Sequence, residues 1–258
     1  MNSVLPLITP LANKYFEKAM NNDKEEYYRS LDMRLCLEII CDEMLYELIS
    51  EESKEKWKDL TLHSKLKLMK GFIPANIVDD LINAKYLGNI GVHNGEEAEL
   101  TDDKLNISLE TIHEFSLELI VNYFRKNGFL NGKSWVPTVF STLPPVYRIV
   151  ILEKYFEFDK SLIIIDKLSM AYLKNNNYKE ALEFIEKCYS NGHIDLDNKF
   201  MFYDKLESLN HHLSKFSIAR DIPMAKENLE KLLLSIPENE ICKFIVLISM
   251  VVGIKLKK

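Results

Sequence analysis

The sequence predicts an all-α protein made of two helical modules. Only 8 Gly and 8 Pro occur among 258 residues, so few positions interrupt regular structure. Apolar residues recur at three- and four-residue spacing along almost the whole chain, which is the pattern of amphipathic helices rather than of strands. With 47% hydrophobic residues the chain can bury a substantial core, and its length allows two domains of ordinary size.

Five helices are predicted in the first region. Thr9-Pro10 has the form of an N-cap followed by a first-turn proline, and Gly71 and Pro74 separate two later helices. The glycines and asparagines of GNIGVHNG are expected to loosen the chain after Leu87. The predicted helices cover 10–20, 24–50, 62–70, 74–87 and 102–125, the last of them capped by Thr101 or Asp102.

These helices define a predicted bundle over residues 1–128. The next segment, residues 129–145, is rich in Gly, Pro, Ser and Thr, and we interpret it as an interdomain linker. Trp135 and Phe140 indicate that this linker is partly packed rather than a free tether. Residues 146–258 are predicted to form a second helical domain.

The second predicted domain contains the same spacing of an aromatic residue and an alanine twice. Tyr172 precedes Ala181 by nine residues, and Phe216 precedes Ala225 by the same distance. The pattern resembles the tetratricopeptide repeat, in which a small residue on the second helix of a pair lets an aromatic side chain of the first helix pack closely. The resemblance covers about 75 residues. The alternative is a plain array of helical hairpins in which the two alanines coincide by chance.

The net charge disfavours binding to polyanions, and the spacing of the cysteines disfavours a metal site. The net charge of −6 gives no strong overall field to attract nucleic acid or an anionic membrane, so RNA would have to bind a local basic surface. The four cysteines are scattered, without a metal-ligand spacing, and are expected to be buried and reduced.

The first residues lack the features of a secretory signal, so a cytoplasmic protein is expected. The apolar run 244–254 rises only about 16 Å as a helix, so a buried helix is favoured over a membrane span.

Two short motifs in the first region could carry chemistry. Arg34 and Glu38 stand one helical turn apart, where they can form a salt bridge along the helix. Gly88-Asn89 is followed by His93 near the end of a later helix. Together these residues resemble the HEPN superfamily of helical bundles, in particular a bacterial branch with R-x-x-x-E on an early helix and GN-x-x-x-H near a later helix end.

The resemblance spans roughly residues 20–128 and implies a dimer, and some members of the superfamily are metal-independent ribonucleases. In such a site His93 would transfer a proton to or from the ribose and leaving oxygens, and Asn89 would orient the phosphate. Gly88 occupies the place of the arginine that neutralises the transition state. Lys85, one turn earlier, is a displaced candidate for that cation, although a lysine fits two phosphate oxygens less well.

Weaker candidates have simpler interpretations. The pair His211-His212 could bind a metal, but a solvated pair is favoured. The acidic run over 96–103 could hold a divalent ion, but a solvated loop before a helix N-terminus is favoured. Packing is likewise favoured over base stacking for four aromatic residues: Tyr27, Tyr28, Tyr46 and Trp57. We predict neither a cofactor nor a metal.

Two functions from different classes follow. The first is a non-catalytic or regulatory interaction protein, in which a HEPN-like dimer carries a repeat-like tail that binds a protein or peptide. The family resemblance places such a protein in a bacterial defence or toxin system. The alternative is an endoribonuclease of the same fold that uses His93, Asn89 and Lys85, and Gly88 favours the first function.

Overall fold

The computed structural model confirms the all-α class. It describes residues 5–71, 73–93, 100–130 and 135–256, and these contain helices, turns and irregular segments but no strand. Contacts divide the chain into two compact units. Unit 1 comprises Met1–Tyr123 together with Ile241–Lys258, and unit 2 comprises Phe124–Glu240.

In unit 1 helix α2 is central and packs against α1 and α6. Thr9 caps α1 as predicted, since its Oγ1 accepts a hydrogen bond from the amide of Ala12. A short helix before residue 57 was not predicted. The helices are α1 (Pro10–Met20), α2 (Glu26–Ile40), α3 (Tyr46–Leu48), α4 (Glu51–Lys56), α5 (Leu62–Leu68), α6 (Ala75–His93) and α7 (Asp102–Asn127), whose last four residues belong to unit 2.

The predicted long helix over 24–50 is helical over most of that length but changes its winding. Between α2 and α3 the segment Cys41–Leu45 forms a π-helical turn. Such turns insert an extra residue into the helix and are frequent at functional sites. Cys41, Met44 and Leu45 of this turn are buried, while Asp42 is exposed.

Unit 2 is a series of antiparallel helices in which α9, α10, α11 and α12 each pack on the next. Its central core contains Ile165, Leu173, Ala181, Ile185, Cys188, Ile194, Phe202 and Leu206. The helices are α8 (Trp135–Phe140), α9 (Pro145–Phe156), α10 (Leu162–Lys174), α11 (Tyr178–Ser190), α12 (Leu196–Asn210) and α13 (Ile222–Leu233), and α14 (Lys243–Val251) follows in unit 1.

The boundaries of the two units differ from the predicted ones. The predicted linker over 129–145 contains helix α8, and Phe129 and Phe140 pack their rings 5.8 Å apart in unit 2. Helix α14, which we had assigned to the second domain, packs on α3 in unit 1. Lys243 at its start donates a hydrogen bond to the carbonyl of Ile49 at 2.8 Å. Helix α14 therefore packs against a segment that lies almost two hundred residues earlier in the chain.

Candidate functional site

Helices α2 and α6 bring the two sequence motifs together. Arg34 binds Glu38 within α2, with Nε and Nη2 each 3.1 Å from Oε1 of the carboxylate, as predicted from their spacing. Gly88 on α6 lies against the aliphatic part of Arg34. The motif residues Arg34, Glu38 and Gly88 thus meet at the contact between two core helices.

Gly88 is required by the close approach of these helices. A Cβ atom added at this position would lie 2.5 Å from the Cβ of Arg34, well inside van der Waals contact. The obstructing atom belongs to the rigid base of the Arg34 side chain, so the clash could be relieved only by a shift of a helix. Position 88 consequently has no room for the arginine that the ribonuclease motif places there.

The other three residues of the predicted site lie along one side of α6. The helix was expected to end near Leu87, but it continues to His93 because the glycines of GNIG do not interrupt it. Lys85, Asn89 and His93 therefore recur every four residues on one face of a single helix. Lys85 and Asn89 are half-buried, whereas the side chain of His93 lies outside the described residues.

Lys85 has no partner among the described residues. Within the described part of the chain it forms neither a hydrogen bond nor an ion pair, and Glu38 is already bound by Arg34. The ammonium group of this half-buried residue is therefore available to an anion from outside the chain. Lys85, Asn89 and His93 could act in RNA cleavage only if that anion is a phosphate of RNA.

The sequence interpretation missed Arg29, which is a fully buried cation in unit 1. Its Nε donates to the carbonyl of Ala19 at 2.8 Å and its Nη2 to Oδ1 of Asn106 at 2.9 Å. Its Nη1 contacts the carboxylate of Asp102. These bonds connect α2 to the start of α7. The signal in the sequence was the charge of Arg29 within an otherwise apolar stripe of its helix, which indicates a buried and paired cation.

A second missed cluster surrounds the π-helical turn. Oδ1 of Asp42 accepts hydrogen bonds from Nε1 of Trp57 at 3.0 Å and from Nζ of Lys65 at 2.5 Å. The next residue, Glu43, accepts a hydrogen bond from the hydroxyl of Thr9. The π turn therefore directs two successive carboxylates to partners on different elements. Trp57 is buried, which agrees with the predicted packing role.

The sequence offers two groups of possible metal ligands, the pair His211-His212 and the acidic run over 96–103. His211 and His212 follow the end of α12 and are exposed. The acidic residues 96–99 lie outside the described residues, while Asp102 binds Arg29. Among the residues described, no group of three His, Cys, Asp or Glu side chains could hold a metal ion.

The two alanines of the repeat-like pattern are both buried, but the aromatic residues nine positions before them differ in exposure. Ala181 on α11 is fully buried, and the ring of Tyr172 on α10 lies 5.9 Å from that of Phe184. Ala225 is also fully buried, but Phe216 follows a short 3-10 turn and is 46% exposed. The second pair therefore lacks the aromatic side chain of its first helix.

Helices α9, α10 and α11 line a groove in unit 2 with a volume of about 410 Å³. Its apolar wall is formed by the rings of Phe156 and Phe184, whose centroids are 5.3 Å apart, and by Tyr172. The hydroxyl of Tyr172 donates to Glu153 at the rim. Burial and that carboxylate together raise the pKa of Tyr172, so it stays a neutral donor at neutral pH.

Comparisons with known proteins leave the family resemblance as an expectation. No protein-family model, curated protein or solved structure matches the chain. In the described ranges, no helix combines the length and the apolar character needed to cross a membrane.

Proposed function

We propose that the chain is a non-catalytic helical interaction protein that binds a protein or peptide on the helix array of unit 2. The observation that carries this proposal is the consecutive packing of α9, α10, α11 and α12, each on the next. Arrays of this kind present long grooves to which extended or helical segments bind. A HEPN-like character of unit 1 and a role in bacterial defence remain expectations from the sequence motifs.

The groove between Phe156, Tyr172 and Phe184 is the proposed contact for an apolar side chain of the partner. Its aromatic wall provides the buried apolar area that anchors a peptide. The rim carries both Glu153 and Lys187, so it can bind polar groups of either sign around that anchor. A peptide with one aromatic or large aliphatic residue among polar neighbours is the proposed ligand.

A peptide library displayed on phage tests this proposal, with the purified chain as the target. We expect enriched peptides to share one apolar anchor and to bind in solution by fluorescence polarisation. The Phe184→Ala variant should weaken their binding by about 10-fold or more, since hot-spot aromatics commonly contribute this much. The control Phe200→Ala removes an aromatic residue that is 55% exposed and lies outside the groove. Equal loss in both variants, or no enriched peptide, would contradict the proposal.

We propose further that unit 1 forms a homodimer through the surface of α6 and α7. Tyr86 is 54% exposed and Ile107 is 62% exposed, and both line a shallow groove between these helices. Exposed apolar residues side by side are typical of interaction surfaces. Light scattering after gel filtration should give a dimer for the parent and a monomer for Ile107→Glu. Leu234→Glu, at an 89% exposed position in unit 2, should remain dimeric, and a monomeric parent chain would refute this assembly.

RNA cleavage is the second candidate, and one observation favours it. The continuation of α6 to His93 puts Lys85, Asn89 and His93 on one face of one helix. Incubation of the chain with a mixed RNA pool in the presence of a chelator tests this function. Cleavage by the parent but not by His93→Ala would establish a metal-independent ribonuclease that uses His93. Intact RNA in both reactions would leave the interaction function alone.

A further inference from the structure

Arg148 on α9 is a buried cation that forms no ion pair with any of the described residues. It is only 5% exposed, and its Nε atom has no hydrogen-bond partner. Within the described residues, its side chain forms no hydrogen bond or ion pair. By contrast, the buried Arg29 of unit 1 is bound by a carbonyl, an amide and a carboxylate. An unpaired buried charge destabilises a fold, so an anionic partner from outside the chain would stabilise this arginine.

Three lysines converge on the same place. Arg148 lines a cavity of about 130 Å³ together with Lys167, Lys174 and Lys205, which come from α10 and α12. Asp166 is the acidic residue of the lining, and it is already bound by Lys205 and lies 3.5 Å from Lys167. Four cations and one carboxylate leave three net positive charges in this lining, although the whole chain carries −6.

The electrostatics of the cavity favour the binding of an anion. Burial lowers the pKa of Lys174, and the nearby charges of Arg148, Lys167 and Lys205 lower it further, while Asp166 opposes them in part. Burial also lowers the pKa of Arg148 to about 10, so its guanidinium remains charged at neutral pH. A bound anion would relieve the mutual repulsion of these cations.

We propose that this cavity in unit 2 is a binding site for a phosphate group. A guanidinium donates two parallel hydrogen bonds to the oxygens of a phosphate, and lysines provide additional point charges. A phosphate dianion neutralises more of the three net charges than a carboxylate does. The cavity has room for several water molecules and therefore for a tetrahedral phosphate. This inference does not depend on the proposed peptide binding, because the aromatic groove is lined by a different set of residues.

Calorimetric titration of the full chain with inorganic phosphate tests the site directly. We expect saturable binding in the range of about 1 mM or tighter. Acetate should bind at least about 10-fold more weakly, since it carries one charge. A nucleoside monophosphate identifies the source, because tighter binding than inorganic phosphate would indicate that the group belongs to a larger molecule. No saturable phosphate binding, or acetate binding as tight as phosphate binding, would overturn the proposal.

Two variants assign the binding to this cavity. Arg148→Met should abolish phosphate binding yet leave the melting temperature in phosphate-free buffer unchanged or higher, because it removes an unpaired buried charge. Lys174→Met should weaken binding by about 10-fold and guards against misfolding of the first variant. The control Lys179→Met removes a cation on α11 whose side chain is 86% exposed, and it should bind like the parent. Unchanged phosphate affinity in the folded Arg148 and Lys174 variants would refute the assignment.

Discussion

Gly88 and Arg34 are in direct contact across two core helices, and the contact leaves no space for a Cβ atom on residue 88. An added Cβ would lie 2.5 Å from the Cβ of Arg34 and 3.2 Å from its Cγ and Cδ. The glycine therefore belongs to the packing of α6 on α2. In the ribonuclease interpretation the same glycine is the residue that replaces a catalytic arginine.

The Gly88→Ala variant is expected to be less stable than the parent by about 1–3 kcal/mol, because overpacking outweighs the better helix propensity of alanine. Urea unfolding monitored by circular dichroism measures the difference. Asn83→Ala, at an exposed position of the same helix, serves as the control and should be neutral or slightly stabilising. Combining Gly88→Ala with Arg34→Gly should reduce the cost of the alanine, and an unreduced cost would place the clash elsewhere.

Replacement of Arg29 by alanine should reduce the free energy of unfolding by about 2–4 kcal/mol, since it removes the three hydrogen bonds of a buried guanidinium and leaves a cavity. Chemical denaturation measures this loss. Arg34→Ala on the same helix removes a half-exposed arginine whose pair with Glu38 is worth less than about 1 kcal/mol. If both variants lost the same free energy of unfolding, the hydrogen bonds of the buried Arg29 would not explain the loss.

The four thiols should differ in their reaction with a thiol reagent. Burial raises the pKa of Cys36 and Cys41 far above neutrality, and it raises that of Cys188 to about 11. The reactive thiolate of these three residues is therefore scarce at neutral pH. Cys242, which is half-buried, should be labelled first in the native protein. Mass spectrometry of labelled peptides over time checks this order, and early labelling of Cys36 would contradict the buried position.

Ala181→Leu should destabilise the chain by about 1–3 kcal/mol, because the fully buried alanine lies in the core of unit 2, where a larger side chain overpacks its neighbours. Thermal unfolding detects the change. Lys179→Leu introduces the same side chain two residues earlier at a solvent-exposed position, where we expect an effect within about 0.5 kcal/mol. A tolerated leucine at position 181 would remove the basis for repeat-like packing of α10 on α11.

Local patterns in the sequence determined the helices. The spacing of apolar residues predicts the all-α class, and Thr9, Thr61 and Asp195 begin helices because their side-chain oxygens accept hydrogen bonds from backbone amides in the first turn. The Arg34–Glu38 pair also follows from sequence, since residues four apart on a helix are neighbours. These features depend only on residues within one or two helical turns.

The tertiary structure decided which helices meet and what their contacts require. It placed α14 in unit 1 beside Ile49, and it placed the α-carbon of Gly88 against Arg34. It also buried Arg148 beside three lysines, with no ion pair to that arginine among the described residues. Each of these outcomes depends on contacts between residues far apart in the chain, so no local pattern encodes it. The interpretation of position 88 and the phosphate site both rest on such long-range contacts.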